Sequence, residues 1–130
     1  MGKLILDTDV LIDFLREDPK ITKKIGTLNE RYELGTTDIN AFELYKGAYK
    51  SKHKKKNLAS VKGILNTLFL ISTNEDSMEV AAEILVDLEK RGKPIDIRDL
   101  FIGSICLVNS FDLFTGNKKH FENMEGLKII

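Results

Sequence analysis

Four short stretches of this chain carry residues suited to hard-cation chemistry, and none is persuasive alone. Asp7 closes the apolar run Leu4-Ile5-Leu6 and is followed by Thr8 and Asp9. Glu43 lies in Asn40-Ala41-Phe42-Glu43-Leu44, just inside a helix. Asp99 stands three residues after Asp96 and opens the apolar stretch Leu100–Val108. Asn117 follows Leu113-Phe114-Thr115. Each position falls where a strand should end or a helix begin. Carboxylates at such points would meet along one edge of a parallel sheet, forming a negative pocket for a divalent cation with oxygen ligands.

Each residue also has a plainer use. Asp7 or Asp9 can cap a helix. Glu43 is ordinary on a solvated helix face. A carboxylate at Asp96 or Asp99 suits the positive end of a helix, Asp96 being the better loop residue. Asn117 suits a turn. Asp13 reads as a surface charge.

The elements that must position these groups follow from periodicity. Strands are expected at Leu4–Leu6, Tyr32–Thr36, Phe69–Ile71 and Asp112–Thr115, with a fifth at Leu127–Ile130. Val10, Leu11, Phe14 and Leu15 recur at helical spacing, and Pro19 suits the first turn of a second helix. A third helix runs to Tyr49, with Asp38 expected to cap it and Phe42, Tyr45 and Tyr49 sharing a face. Leu58, Val61, Leu65 and Leu68 mark a fourth helix. Met78–Lys90 forms a fifth, ending near Gly92, and Asp99–Asn109 a sixth, central because it is apolar on nearly every side. Gly103 and Ser104 are small enough to let that last helix approach the sheet. Alternating strands and helices without a tight hairpin signal predict an α/β fold with a parallel sheet covered on both faces.

Composition bounds the rest. At 130 residues the chain is one domain, 1–130. Lys+Arg 20 against Asp+Glu 20 leaves no net charge, so overall charge points to no partner. One cysteine, Cys106, excludes a disulfide framework and predicts a reducing, cytoplasmic setting. No segment approaches the roughly 20 apolar residues needed to span a bilayer. The basic run Lys50, Lys52, His53, Lys54, Lys55, Lys56 is either a solvated helix end or a capture surface for an RNA backbone, with Lys52 and Lys54 as candidate contacts. His53 and His120 are too far apart in sequence to suggest an acid–base pair, and His120 is expected to pack or hydrogen-bond beside Phe121.

Taken in order, Leu-Asp-Thr-Asp-Val-Leu-Ile-Asp (6–13), Phe-Glu-Leu-Tyr-Lys-Gly (42–47), Asp-Leu-Phe-Ile-Gly (99–103) and Thr-Gly-Asn-Lys-Lys-His-Phe (115–121) resemble a PIN-domain protein. Within that family the chain is most similar to VapC-type toxins of prokaryotic toxin–antitoxin pairs. The resemblance implies a three-layer α/β/α sandwich and a Mg²⁺-dependent ribonuclease in which Mn²⁺ can substitute. It places Asp7, Glu43 and Asp99 at the family's three main acidic positions and Asn117 at a fourth where Asp is common, which bears on the hold on a second ion. Asp7 and Asp99 would ligate metal directly or through water. Glu43 would orient or deprotonate the attacking water, or help hold a second ion. Thr8 and Thr115 would donate to carboxylate or phosphate oxygens. The expected products are a 5′-phosphate and a 3′-hydroxyl. Implied partners are RNA, a second copy of the chain, and a small antitoxin whose tail crosses the acidic pocket between walls near Leu11–Leu15 and Phe42–Tyr49.

Two other readings stand beside this one. Asp7-Thr8-Asp9 after a strand is similar to the start of a haloacid-dehalogenase-type phosphatase, although Val10 replaces the usual Gly. A non-catalytic PIN-like module that binds RNA or protein is the other.

Overall fold

The structure, a computed structural model, describes residues 1–130. Four parallel strands form one sheet: β1 (Gly2–Leu6), β2 (Tyr32–Thr37), β3 (Phe69–Ile71) and β4 (Asp112–Phe114), in the order β3-β2-β1-β4. Six helices connect them: α1 (Thr8–Leu15), α2 (Pro19–Asn29), α3 (Asp38–Lys50), α4 (Lys54–Leu65), α5 (Glu75–Lys90) and α6 (Ile97–Asn109).

The strand order decides the layering. From β1 to β3 the chain steps one way along the sheet, and from β3 to β4 it crosses back beyond β1. Right-handed crossovers in opposite directions place their helices on opposite faces. The core divides accordingly. Leu4 and Leu6 pack with Val10, Leu11, Ile25, Leu28, Leu44, Ala48, Val61 and Ile64 from α1–α4. Ile5, between them on the strand, faces the other way and packs with Ala81, Leu100, Ile102 and Cys106 from α5 and α6. A period of two along β1 thus serves two cores. Each fully buried Leu or Ile contributes about 1.5–3 kcal/mol. The three-layer α/β/α expectation holds.

Several local expectations are corrected. Asp38 does not cap α3. Thr37 does, in a reciprocal box with Asn40, while Asp38 Oδ2 accepts from the Thr73 backbone N–H and hydroxyl, both at 3.1 Å. Asp96 is not a loose loop residue but the N-cap of α6. Lys54–Lys56 form the first turn of α4, so this part of the basic run is a solvated helix end, one of the two readings above. Residues 127–130 make one bridge, Leu113 to Ile129, instead of a fifth strand. Gly103 accommodates Met124, whose sulfur a β-carbon would overlap, and not the sheet. Gly92 does serve as expected: α5 ends at Lys90, and Gly92 takes φ 65°, a left-handed conformation glycine adopts without steric cost. Of the α3 stripe, Phe42 and Tyr49 are exposed at 61% and 60%, while Tyr45 packs against the core.

Candidate active site

Chain reversal in strand order leaves a crevice beyond the C-terminal ends of β1 and β4, where open α/β sheets bind ligands. Asp7 sits there. Its backbone N–H donates to the Phe114 carbonyl at 3.0 Å, joining the two strand ends. Its carboxylate, with the residue only 5% exposed, also caps α1. Oδ1 accepts from the Thr8 N–H at 2.8 Å and from Asn40 Nδ2 at 3.0 Å. Oδ2 accepts from the Thr115 hydroxyl at 2.7 Å. Capping and site-building are therefore one arrangement.

Asn40, fully buried on the first turn of α3, organises the next shell. Its amide oxygen accepts from the Thr37 hydroxyl at 2.7 Å and N–H at 3.3 Å. Its nitrogen donates to Asp7 and, at 2.8 Å, to Thr8 Oγ1. The Thr8 hydroxyl in turn donates to Glu43 Oε1 at 3.0 Å. Glu43 Oε2 accepts from Arg98 Nη1 at 3.1 Å, and Arg98 is held by Asp96 through Nε and Nη2, each at 3.1 Å. One continuous chain of polar contacts thus runs from β1 through α3 to α6.

Asp99, in the first turn of α6, enters from the opposite layer and has His120 Nδ1 at 3.4 Å from its Oδ2. Asn117 follows β4, its backbone N–H donating to Thr115 Oγ1 at 3.0 Å. Asp9 accepts from the Gly116 N–H at 2.9 Å; a β-carbon on Gly116 would lie 2.5 Å from that oxygen, so glycine permits the approach.

Asp7, Glu43, Asp99 and Asn117, separated in sequence, line one cavity of about 960 Å³. Thr8 lines it too, and Thr115 supports it through Asp7. Its walls carry Asp7, Asp9, Glu43, Asp96, Asp99 and Glu122 against Lys93, Arg98 and Lys119. Lys52 and Lys54 are exposed around the α3–α4 junction and do not line it. His120 lines it as well, its polar contact being to Asp99. Asp9, read in the sequence as a cap, joins the wall, and Asn40, Arg98, Lys93 and Lys119 carry parts of the site to which no motif assigned a role. Only Asn40 left a signal, the Thr37-Asp38-Ile39-Asn40 spacing of a helix-start box.

The electrostatics are those of crowded carboxylates. Burial is the main cause holding the Asp7 carboxyl above its usual range, opposed by its hydrogen bonds to Thr115, Thr8 and Asn40. Burial and then Asp7 raise Asp9. Burial, followed by repulsion from Asp7, pushes Asp99 up to about 6. Asp96 moves the other way because Arg98 donates to it. Folding therefore binds a proton at Asp99 more tightly than the unfolded chain does. That stabilisation is complete below the unfolded value of 3.8 and is lost as pH rises through about 6. In EDTA, Asp99→Asn is expected to melt above wild type at pH 7.5, by at most about 3 kcal/mol. The gap should close as pH falls toward 4. A pH-independent gap, followed by thermal unfolding, would refute this origin.

Hard oxygen donors, repelling one another in a wet cavity, fit a divalent cation of the Mg²⁺ type. No three His, Cys, Asp or Glu side chains converge into a closed cage. Mg²⁺ does not require one, since it keeps several waters and takes one or two carboxylates with substrate phosphates.

The PIN domain family model matches residues 4–127. Ribonuclease VapC1 of Methanocaldococcus jannaschii is 33% identical over 98% of this chain and 87% of its own length. The tRNA(fMet)-specific endonuclease VapC of Shigella flexneri is 24% identical over 98% of this chain and 96% of its own. The crystal structure of DNA-bound VapBC from Salmonella typhimurium superimposes with a TM-score of 0.90, at 26% identity, covering 100% of this chain and 98% of that one.

Proposed function

This chain belongs to the PIN-domain family, and from that premise we propose that it is a metal-dependent ribonuclease, the toxin of a VapBC-type toxin–antitoxin pair. The observation that carries the reading is the convergence of Asp7, Glu43 and Asp99 on one cavity at the crossover of strand order. The ribonuclease and endonuclease names of its relatives point the same way. The dehalogenase-type alternative loses its basis with the family assignment. A non-catalytic module would have no use for Asp7 and Glu43 tied into one hydrogen-bond chain with Asp99 brought to the same cavity against their repulsion.

Asp7 and Asp99 would hold Mg²⁺, or Mn²⁺ in its place. A divalent ion bound there lowers the pKa of a coordinated water and offsets charge developing on the scissile phosphate. Thr115, Asn40 and the Thr8 N–H keep Asp7 pointed into the cavity at little reorganisation cost. Glu43, oriented by Thr8 and Arg98, aligns the attacking water and takes its proton. The Asn117 amide donates to or accepts from the same water shell. Lys93 and Lys119 on the cavity wall attract the RNA backbone, and Lys52 and Lys54 extend that attraction along the strand.

No helix is long and apolar enough to cross a membrane. A cytoplasmic enzyme acting as a homodimer and restrained by a small antitoxin completes the proposal. Incubation of purified protein with total RNA should yield cleavage with Mg²⁺ or Mn²⁺ and none in EDTA, the products ending in 5′-phosphate and 3′-hydroxyl. Cleavage undiminished by EDTA would count decisively against the metal role.

A further inference from the structure

Glu43 differs from Asp7, Asp9 and Asp99 in being paired with an arginine of the chain itself. Thr8 Oγ1 donates to Oε1 at 3.0 Å and Arg98 Nη1 to Oε2 at 3.1 Å. Arg98 is not a loosely placed surface cation. Its Nε and Nη2 fork onto the two oxygens of Asp96, the residue that caps the same helix, while the remaining edge faces Glu43 across the cleft. A lone ion pair at this exposure would count for little. A planar guanidinium locked by two parallel bonds is pre-organised and keeps its charge at every working pH.

We propose that the cavity takes a single divalent cation, on Asp7 and Asp99, and that the Arg98 guanidinium stands beside Glu43 where a second cation would otherwise sit. The inference rests on the metal-dependent reading above and specifies its stoichiometry. A second ion approaching Glu43 meets a fixed positive charge. To bind, it must break the Arg98–Glu43 contact and leave the Asp96–Arg98 fork to reorient. The β4 side offers a second ion little: the Asn117 amide adds no negative charge there, and both oxygens of Asp9 already accept from the Val10 and Gly116 N–H groups. Asp7 and Asp99 meet no comparable obstacle. No lysine or arginine pairs with either, and the one basic group in pairing distance is His120, at 3.4 Å from Asp99 and itself 59% exposed. Glu43 is then a positioned carboxylate rather than a ligand, and Arg98 a positioning residue that acts through it.

Mn²⁺ titration of the purified protein, followed by calorimetry and by the electron paramagnetic resonance signal of free Mn²⁺, tests this without reference to cleavage. Wild type should bind one ion. Arg98→Ala should gain a second binding event, at least about tenfold tighter than any second event in wild type. Arg98→Lys, which retains the charge, should return to one. Arg98 is solvent-facing, so circular dichroism should report an intact fold in both variants. Two ions of similar affinity in wild type, or an Arg98→Ala titration indistinguishable from wild type, would overturn the inference while leaving the enzyme metal-dependent. Absence of any Mn²⁺ binding by wild type would instead overturn the metal-dependent reading itself.

Discussion

Asp7→Asn should reduce RNA cleavage by more than a hundredfold while the protein stays folded. Losing a group that only holds a metal ligand in place commonly costs about 10–100-fold, and the loss of a ligand carboxylate costs more. The fold survives because every hydrogen bond of Asp7 can be kept. An Asn oxygen can still accept from the Thr8 N–H and Asn40, and its amide nitrogen can donate to Thr115 Oγ1, whose hydroxyl accepts as readily as it donates. The substitution also removes a carboxylate that burial holds above its usual range, so the metal-free variant should melt at or above the wild-type temperature. Cleavage rates and melting curves on the same preparations check both halves. Expression of the variant should no longer arrest growth. Residual cleavage near the wild-type rate, or a collapsed fold accounting for the loss, would refute the assignment of Asp7 to chemistry.

Asn40→Asp is the second large effect, and it tests a residue that no motif marked. All four amide hydrogen-bonding positions of Asn40 are used: two acceptances from Thr37, and donations to Asp7 and Thr8. Aspartate supplies the acceptor half only. It replaces the donation to Asp7 with a like charge at hydrogen-bonding distance, inside a fully buried pocket. Breaking such a buried charged contact costs about 3–5 kcal/mol. Cleavage should fall at least about tenfold, because both Asp7 and Thr8, and through Thr8 Glu43, lose their orientation. The stability deficit should be largest at neutral pH and shrink as pH falls, when one carboxyl of the new pair takes up a proton and donates in place of the amide. Urea denaturation at pH 7.5 and pH 5 measures the difference. A variant as stable as wild type at pH 7.5 would show that the Asn40 amide does not hold Asp7.

The parts of this protein legible in its sequence are those governed by local spacing. Leu4-Ile5-Leu6 reads as a strand, Val10 to Leu15 as a helix, and Asp7 at their junction as a residue of double use. The junctions were less legible where two short polar residues competed for one role. Asp38 and Thr37 can each cap α3. The threonine does so because Asn40 returns the bond to its backbone, while Asp38 is drawn away by Thr73. Residues 127–130 have strand composition, yet only one bridge forms, since pairing depends on where β4 ends and not on propensity alone.

What the sequence determined by itself was the list of reactive groups, the family pattern that orders them, and the alternation of elements that makes a parallel sheet. What tertiary structure alone decided was which polar groups face one another. Asn40 to Asp7 spans 33 residues, Arg98 to Glu43 spans 55, and Thr115 to Asp7 spans 108. No periodicity encodes such pairs, because they arise from the reversal of strand order at β1 and from helices on opposite faces meeting at one sheet edge. The same reason moved the basic groups of the cavity from the obvious run at Lys52–Lys56 to Lys93, Arg98 and Lys119, which are unremarkable in sequence. A charge acquires a role from what it confronts across the cleft, and only the fold sets that distance.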